Sequence, residues 1–278
     1  MKILVFICTI DDGLRRVPST LLPPEVEVWY VVSWQQTGVA LSLEAKQAEV
    51  LLRHRTDVCL TTLAGRGLSR NRNHAVETAL SCLSNPLEDA IFVIADDDER
   101  LFPDTFARLR TLYQHHPRMD GALLRVRRTF DGQYLKPYPH TLMAYGRHPR
   151  SYYPSSVEMT FRTRVWHTGV RFDERFGLGS DQLCAGEEDV LLTNLLRKGL
   201  RVLIVPEDLC TTQAATTGSR VLEPRVLRSK GAVYGYQRSL AGAFLRSVRE
   251  ALSLGWKQRV NPLPIFRELW YGLQYIRS

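Results

Sequence analysis

Short apolar runs alternate with stretches of helical spacing along the first two thirds of the chain. Ala90 to Ala95 is a continuous apolar run bounded by charge, the pattern of a strand buried on both faces, and Met1 to Cys8 reads as the first buried strand. Between them, Glu25 to Val32 and Asp57 to Thr61 read as further strands. Leu41 to Arg53 has helical spacing, and a second helix opens after Gly65-Arg66-Gly67 and runs to about Leu83, with Ser69 as its candidate N-cap. Pro103 marks the start of another helix, and Gly121 to Arg128 reads as the next strand. This alternation predicts βαβ units and a mixed, mainly parallel sheet flanked by helices, a Rossmann-related α/β fold.

The pattern fails from Thr129 to Ser156, a segment rich in Tyr, Pro, His and Gly that reads as a shaped loop. Val157 to Arg164 resumes as a strand or a helix start, and Phe172 to Asp181 is a glycine-rich loop. Glu187-Glu188-Asp189 then opens a helix with Lys and Arg in its last turn and Gly199 at its stop. Leu200 to Val205 is the last predicted strand, followed by a polar loop, Thr211 to Ser219, and helices. The division read from this pattern is an α/β domain over 1–219 and a basic helical extension over 220–278.

Composition narrows the class. With 278 residues, 44% hydrophobic and 24% charged, the chain reads as an ordinary globular protein. Five widely spaced cysteines without a C-x-x-C pair suggest neither a disulfide framework nor a zinc ribbon, so a reducing cytoplasm is expected. The opening apolar run is too short for a signal core, and no apolar stretch approaches the ~20 residues of a membrane span. The net charge of +8 sits in the last segment, where eleven Lys or Arg face three Glu between Arg220 and Ser278. Such a tail suits an anionic membrane surface or nucleic acid, or is a solvated helical face. Trp256, Ile265, Phe266, Leu269, Trp270, Leu273 and Tyr275 interleave there with Lys257, Arg259 and Arg267, which fits a helix lying on a membrane; core packing or homodimer formation explains the same residues nearly as well.

Asp96, Asp97 and Asp98 end the central apolar run. Carboxylates gathered at the carboxyl end of a parallel strand occupy the ligand-binding edge of an open sheet and repel one another unless a hard cation or protonation relieves them. A solvated turn before the helix at Pro103 explains them as well. Glu187, Glu188 and Asp189 likewise suit a helix N-terminus without further function. The seven histidines form no zinc set, and neither a phosphate-binding G-x-x-x-x-G-K-[ST] loop nor a G-x-S-x-G nucleophile is present.

Taken in order, Gly67-Leu68-Ser69-Arg70-Asn71-Arg72-Asn73, Ala95-Asp96-Asp97-Asp98, and Phe172-Asp173-Glu174-Arg175-Phe176-Gly177 running to Gly186-Glu187-Glu188-Asp189 resemble the family 2 inverting glycosyltransferases of the GT-A fold. The resemblance covers residues 1 to about 220. It implies transfer of a sugar from a nucleotide-diphosphate sugar to an acceptor hydroxyl, with Mn²⁺ or Mg²⁺ as cofactor. It places Asp98 on the metal and Asp96 near the metal or the ribose, with Asp97, Arg72, Asn73 and Thr9 bordering the donor. Asp189 is nominated as general base, with Glu188 as the fallback. Tyr134, Tyr138, Tyr145, Tyr152 and Tyr153 are candidate stacking faces for an acceptor glycan, or packing within their own loop. A basic, apolar tail further implies a lipid-linked acceptor in bacterial surface polysaccharide assembly and a peripheral place on the inner membrane face. The chain departs from the family at Ser33-Trp34-Gln35, where members often carry an Asp that reads the base. It departs again at Thr211-Thr212-Gln213 and Thr216-Thr217-Gly218, where many carry a His near the metal. The rivals are a nucleotidyltransferase, which lacks its phosphate loop here, and a non-catalytic nucleic-acid-binding protein.

Overall fold

The computed structural model describes residues 1–83, 85, 88–149, 151–213 and 221–278. Its elements in chain order are β1 (Ile3–Ile10), β2 (Val28–Gln36), α1 (Leu43–His54), β3 (Val58–Ala64), α2 (Leu68–Ser81), β4 (Ile91–Asp96), β5 (Arg100–Leu101), α3 (Thr105–His115), β6 (Gly121–Arg128), β7 (Met143–Ala144), β8 (Met159–Arg162), α4 (Thr163–His167), α5 (Glu187–Arg197), β9 (Val202–Thr212), α6 (Pro224–Gln237), α7 (Leu240–Gln258) and α8 (Pro262–Arg277).

The chain separates into two compact units. The first comprises Met1–Arg66, Asn71–Arg171 and Asn194–Ala214; the second comprises Gly67–Arg70, Phe172–Thr193 and Ala215–Ser278. The units thus group the 172–193 loop and helix start with the C-terminal helices. The 219/220 division and the Thr216–Gly218 stretch lie outside the described residues.

The first unit is built on a nine-stranded sheet of order β3-β2-β1-β4-β8-β6-β9-β5, with β7 beside β9. The pairs β1/β2, β1/β4, β2/β3 and β6/β9 are parallel. Between the two parallel blocks lies β8, antiparallel to both β4 and β6. Alternate residues of β1 (Ile3, Val5, Ile7) and β4 (Ile91, Val93, Ala95) pack with Leu52 of α1 and Phe106, Leu109 and Tyr113 of α3. Phe6, Phe92 and Phe161 instead meet Trp166 of α4, with ring centroids 5.4–6.4 Å apart. Burial of both faces is why these strands read as unbroken apolar runs.

Several boundaries differ from the sequence reading. The second strand starts at Val28, because Glu25 to Glu27 form a turn in which Glu27 is left-handed (φ 63°) and Val28 N–H bonds the Glu25 carbonyl. It runs on through Ser33–Gln36. The last strand extends to Thr212, so Thr211 and Thr212 are strand residues, with Thr211 opposite Arg100. Ser69 lies inside α2 instead of capping it; its hydroxyl donates to the Phe176 carbonyl at 2.7 Å.

In the second unit, Phe176, Leu183 and Val190 pack with Ala232 and Val233 of α6. Leu227 of α6 packs with Ala251 and Leu254 of α7 and with Ile265 and Leu269 of α8. Ser239 caps α7 and Asn261 caps α8, accepting from Gly242 N–H and Leu263 N–H respectively. Ile265, Leu269 and Leu273 are therefore helix-packing residues, and Phe266 and Trp270 stack on each other at 6.2 Å. Of the tail residues expected at a membrane, Trp256 alone is among the strongly exposed large hydrophobics. No helix among the described residues is long and apolar enough to cross a membrane.

Candidate functional site

In the first unit, β1 and β4 run side by side with Cys8 opposite Asp96, so Thr9 and the Asp triplet emerge together at their carboxyl ends. Asp96 closes β4, and Asp97 and Asp98 form the turn, held by Glu99 N–H on the Asp96 carbonyl. The triplet caps no helix: β5 separates it from α3, whose N-cap is Asp104. The reading of these acids as a helix-capping turn is thereby set aside.

The three carboxylates have different surroundings. Asp97 is buried, accepting from Thr9 Oγ1 at 2.5 Å and from Arg16 Nη2 at 2.6 Å and Nε at 3.1 Å. Burial raises its pKa, and the Thr9 and Arg16 hydrogen bonds pull in the opposite direction. It is a clamp between the ends of β1 and β4, formed by the same Thr9 hydroxyl and Asp97 carboxylate that the sequence nominates to border the donor. Asp96 is a third exposed and lies 3.3 Å from Arg72 Nη2. Asp98 makes no ion pair among the described residues; burial and then the neighbouring Asp96 and Asp97 charges push its carboxyl above the usual range. Behind the turn, buried Glu99 accepts from Asp96 N–H at 2.9 Å, and burial raises its pKa well above the ordinary value.

Arg72 is only 1% exposed, and the same Nη2 that faces Asp96 donates to Ser156 Oγ at 2.6 Å. One turn of α2 thus fixes a guanidinium beside the carboxyl end of β4. Asn73 follows, half-buried. Asn71, which sequence reasoning passed over, does the structural work: its Nδ2 donates to the carbonyls of Thr9 (3.0 Å) and Ser33 (3.1 Å), and its Oδ1 accepts from Ser33 Oγ (2.6 Å), tying β1 to β2. Toward the end of β2, Trp34 is itself buried and donates from Nε1 to the Asp11 carbonyl at 2.9 Å. The Asp11 carboxylate accepts from both the backbone N–H and the hydroxyl of Thr37 at 2.8 Å. Asp11, Arg16 and Gly13 were missed because their roles depend on partners distant in sequence.

Gly13 supplies a test of the clamp. A Cβ there would lie 2.4 Å from Thr9 Oγ1 and 2.5 Å from Asp97 Oδ2, closer than such atoms approach. Gly13→Ala is expected to displace the Thr9–Asp97 pair and destabilise the protein by about 1–3 kcal/mol, read as a lower midpoint in chemical denaturation. A midpoint equal to wild type would show that the clamp is not a packed structure.

The long 129–156 loop is shaped by a buried carboxylate. Glu158 pairs with Lys136 and accepts from Ser155, from Tyr138 OH at 3.2 Å and from Tyr152 OH at 2.5 Å. Burial raises the Glu158 pKa against the pull of Lys136. Tyr138, Tyr145 and Tyr152 are buried, which removes them as open stacking faces, and Tyr134 lies under Arg125 and Arg127. Of the five tyrosines, Tyr153 is the exposed one.

In the second unit, the 172–186 loop gathers the other two motifs. Leu68 N–H bonds the Leu178 carbonyl at 2.8 Å, and Gly177 (φ +100°) brings the chain against Ser69 and Glu187, where a Cβ would meet Ser69 Oγ at 2.9 Å and Glu187 Cδ at 3.2 Å. Glu187 is buried, whereas Glu188 and Asp189 are half-exposed in the first turn of α5. Val190 N–H on the Gly186 carbonyl closes that turn. Glu188 and Asp189 therefore belong to this unit, and Thr9, Arg72 and the Asp triplet to the other.

Among the described residues no group of three or more His, Cys, Asp or Glu is placed to hold a metal ion. A cation carried by a diphosphate needs fewer, since Mg²⁺ is commonly held by one or two carboxylates with phosphate oxygens and water. Asp96 and Asp98, the two acids of the triplet outside the clamp, fit that donor set.

A parallel β3-β2-β1-β4 block continued by antiparallel β8, with acids at the end of β4, is a GT-A-like α/β fold, as the sequence led us to expect. Among solved structures it is similar to Staphylococcus aureus TarS. The crystal structure of TarS residues 1–349 matches with a TM-score of 0.62 and 12% identity over 100% of this chain and 91% of that one. The same fragment in complex with UDP matches at 0.58 and 14%, over 92% and 72%. A further TarS structure matches at 0.57 and 13%; there 92% of this chain covers 44% of the TarS chain. No family profile and no curated protein matches the sequence.

Proposed function

We propose that this protein is a metal-dependent, inverting glycosyltransferase that takes a sugar from a nucleotide-diphosphate donor. The observation that carries the reading is the division of labour in the Asp triplet: Asp97 is locked to Thr9 and Arg16, while Asp96, beside Arg72, and Asp98 lie outside that clamp at the carboxyl end of β4. Ligands of open α/β sheets bind at that edge. The likeness to TarS, which holds UDP in one of its crystal structures, supports a uridine or related nucleotide. Asp96 and Asp98 would hold Mg²⁺ or Mn²⁺, whose charge stabilises the departing diphosphate. Arg72, fixed by Ser156, holds Asp96 in place and adds positive charge beside it. Asp189 takes the proton of the acceptor hydroxyl, and Glu188 orients the acceptor. The acceptor is a glycan of the surface-polysaccharide class.

The test is a thermal-shift screen of nucleoside diphosphates and nucleotide sugars, with and without Mn²⁺, on wild type and Asp98→Ala. A ligand of the native state adds about 2.7 kcal/mol at a hundredfold excess over Kd. A metal-dependent shift for one base, lost in Asp98→Ala, is expected. No shift with any nucleotide in a folded sample would refute the donor site.

A further inference from the structure

Helix α7 buries Ala243, Ser247, Ala251 and Leu254 against its neighbours and turns a second apolar stripe outward. Leu245 (66% exposed), Leu252 (58%) and Trp256 (87%) recur with Arg249 at spacings of four, three and four residues, which places all four on one helical face. Val260 in the following turn and Leu263 (70%) in the first turn of α8 carry the exposed apolar surface past the corner. That corner is tight: a Cβ on Gly255 would lie 3.0 Å from the Val260 carbonyl oxygen. Apart from Trp256, these residues differ from the tail set singled out in the sequence, most of which is spent on helix packing.

The charges around the stripe have one sign. Glu250 is paired with Lys230 at 3.0 Å and Arg246 at 3.5 Å, and Glu268 with Arg228 at 2.5 Å. Arg249, Lys257, Arg259 and Arg267 are exposed. An aliphatic stripe with an exposed tryptophan and a cationic border is the chemistry of a helix lying in an anionic lipid interface. A symmetric contact with a second copy would set these like charges against each other, and a phosphate backbone would leave Leu245, Leu252 and Leu263 without use.

We propose that the outer face of α7 and the α7–α8 corner form a docking surface for anionic lipid bilayers, with Leu245, Leu252, Trp256 and Leu263 entering the interface and Arg249 and Lys257 meeting the headgroups. The inference rests on the second unit's own surface and stands whether or not the transfer reading does.

The experiment is co-sedimentation of the full chain with phosphatidylcholine vesicles with and without anionic phosphatidylglycerol, whose surface potential attracts basic side chains, with light scattering on the same samples. Wild type is expected to partition onto the anionic vesicles alone, and to be released by salt. Leu252→Ser with Trp256→Ser should lower that partition at least about tenfold, and Arg249→Glu with Lys257→Glu by a similar factor, all with an unchanged thermal midpoint because the side chains are exposed. Absence of wild-type binding, or equal binding by the variants, would overturn the proposal. So would variants that dissociate an oligomer while vesicle binding persists, or wild type that sediments only with added nucleic acid. Transfer to a soluble acceptor is a separate readout, so loss of lipid binding and failure of the catalytic reading are distinguishable.

Discussion

Asp189→Asn is expected to lower kcat about a thousandfold, within the range that a positioned general base contributes, while leaving nucleotide binding in place. Glu187, Glu188 and Asp189 form the first turn of α5, where the peptide dipole favours negative charge, so one acid there needs no functional explanation. The three are not equivalent. Glu187 is buried against the Gly177 turn, a position that serves the loop. Asp189 is half-exposed, and its carbonyl accepts from Thr193 Oγ1 at 2.6 Å, which fixes the backbone from which its short side chain projects. The amide of Asn keeps the volume and the helix start but cannot take a proton. Steady-state kinetics together with the nucleotide thermal shift separate the two effects. A variant with wild-type kcat would eliminate Asp189 as the base, and a thousandfold loss in Glu188→Gln instead would transfer the role to its neighbour.

The fold around the candidate site was legible in the sequence where burial leaves a local mark. The run Ile91–Ala95 is buried on both faces, so it reads as a strand, and its acids necessarily emerge at the strand end. What the sequence hid depends on long-range partners. The three aspartates are identical as letters, and Thr9 and Arg16, more than eighty residues earlier in the chain, make the middle one a clamp. β8 is four residues long and runs straight into α4, too short for an alternation to show, yet it is the strand that joins the two parallel blocks of the sheet. The tyrosines of the 129–156 loop look like sugar-stacking faces because Glu158, which gathers two of their hydroxyls, lies just outside that segment. Trp34 likewise reads as a missing base contact until its indole is found on Asp11.

Gly272→Ala is expected to destabilise the protein, although helix propensity alone predicts the opposite. Replacing a mid-helix glycine by alanine ordinarily gains about 1 kcal/mol. Here α6 and α8 approach backbone to backbone through a reciprocal pair: a Cβ on Gly272 would lie 1.9 Å from the Arg228 carbonyl oxygen, and one on Gly231 would lie 1.8 Å from that of Leu269. Neither carbonyl can rotate away without breaking its own helix, so the helices must separate by more than an ångström (about the difference between these distances and an ordinary contact). Separation opens the packing of Leu227 against Ile265 and Leu269 along the same seam. Overpacking of this kind costs about 1–3 kcal/mol and more where backbone must move, so we expect a net loss of about 3 kcal/mol or more. For a chain of this size that is a fall of about 10 °C in Tm. Gly231→Ala should do the same, and the double variant should cost less than the sum, because both substitutions are relieved by one separation of the same two helices. Thermal and denaturant unfolding of the four proteins decides the matter. A Gly272→Ala variant as stable as wild type would mean that α6 and α8 do not pack backbone to backbone, and full additivity in the double variant would mean that the two glycines do not share one contact.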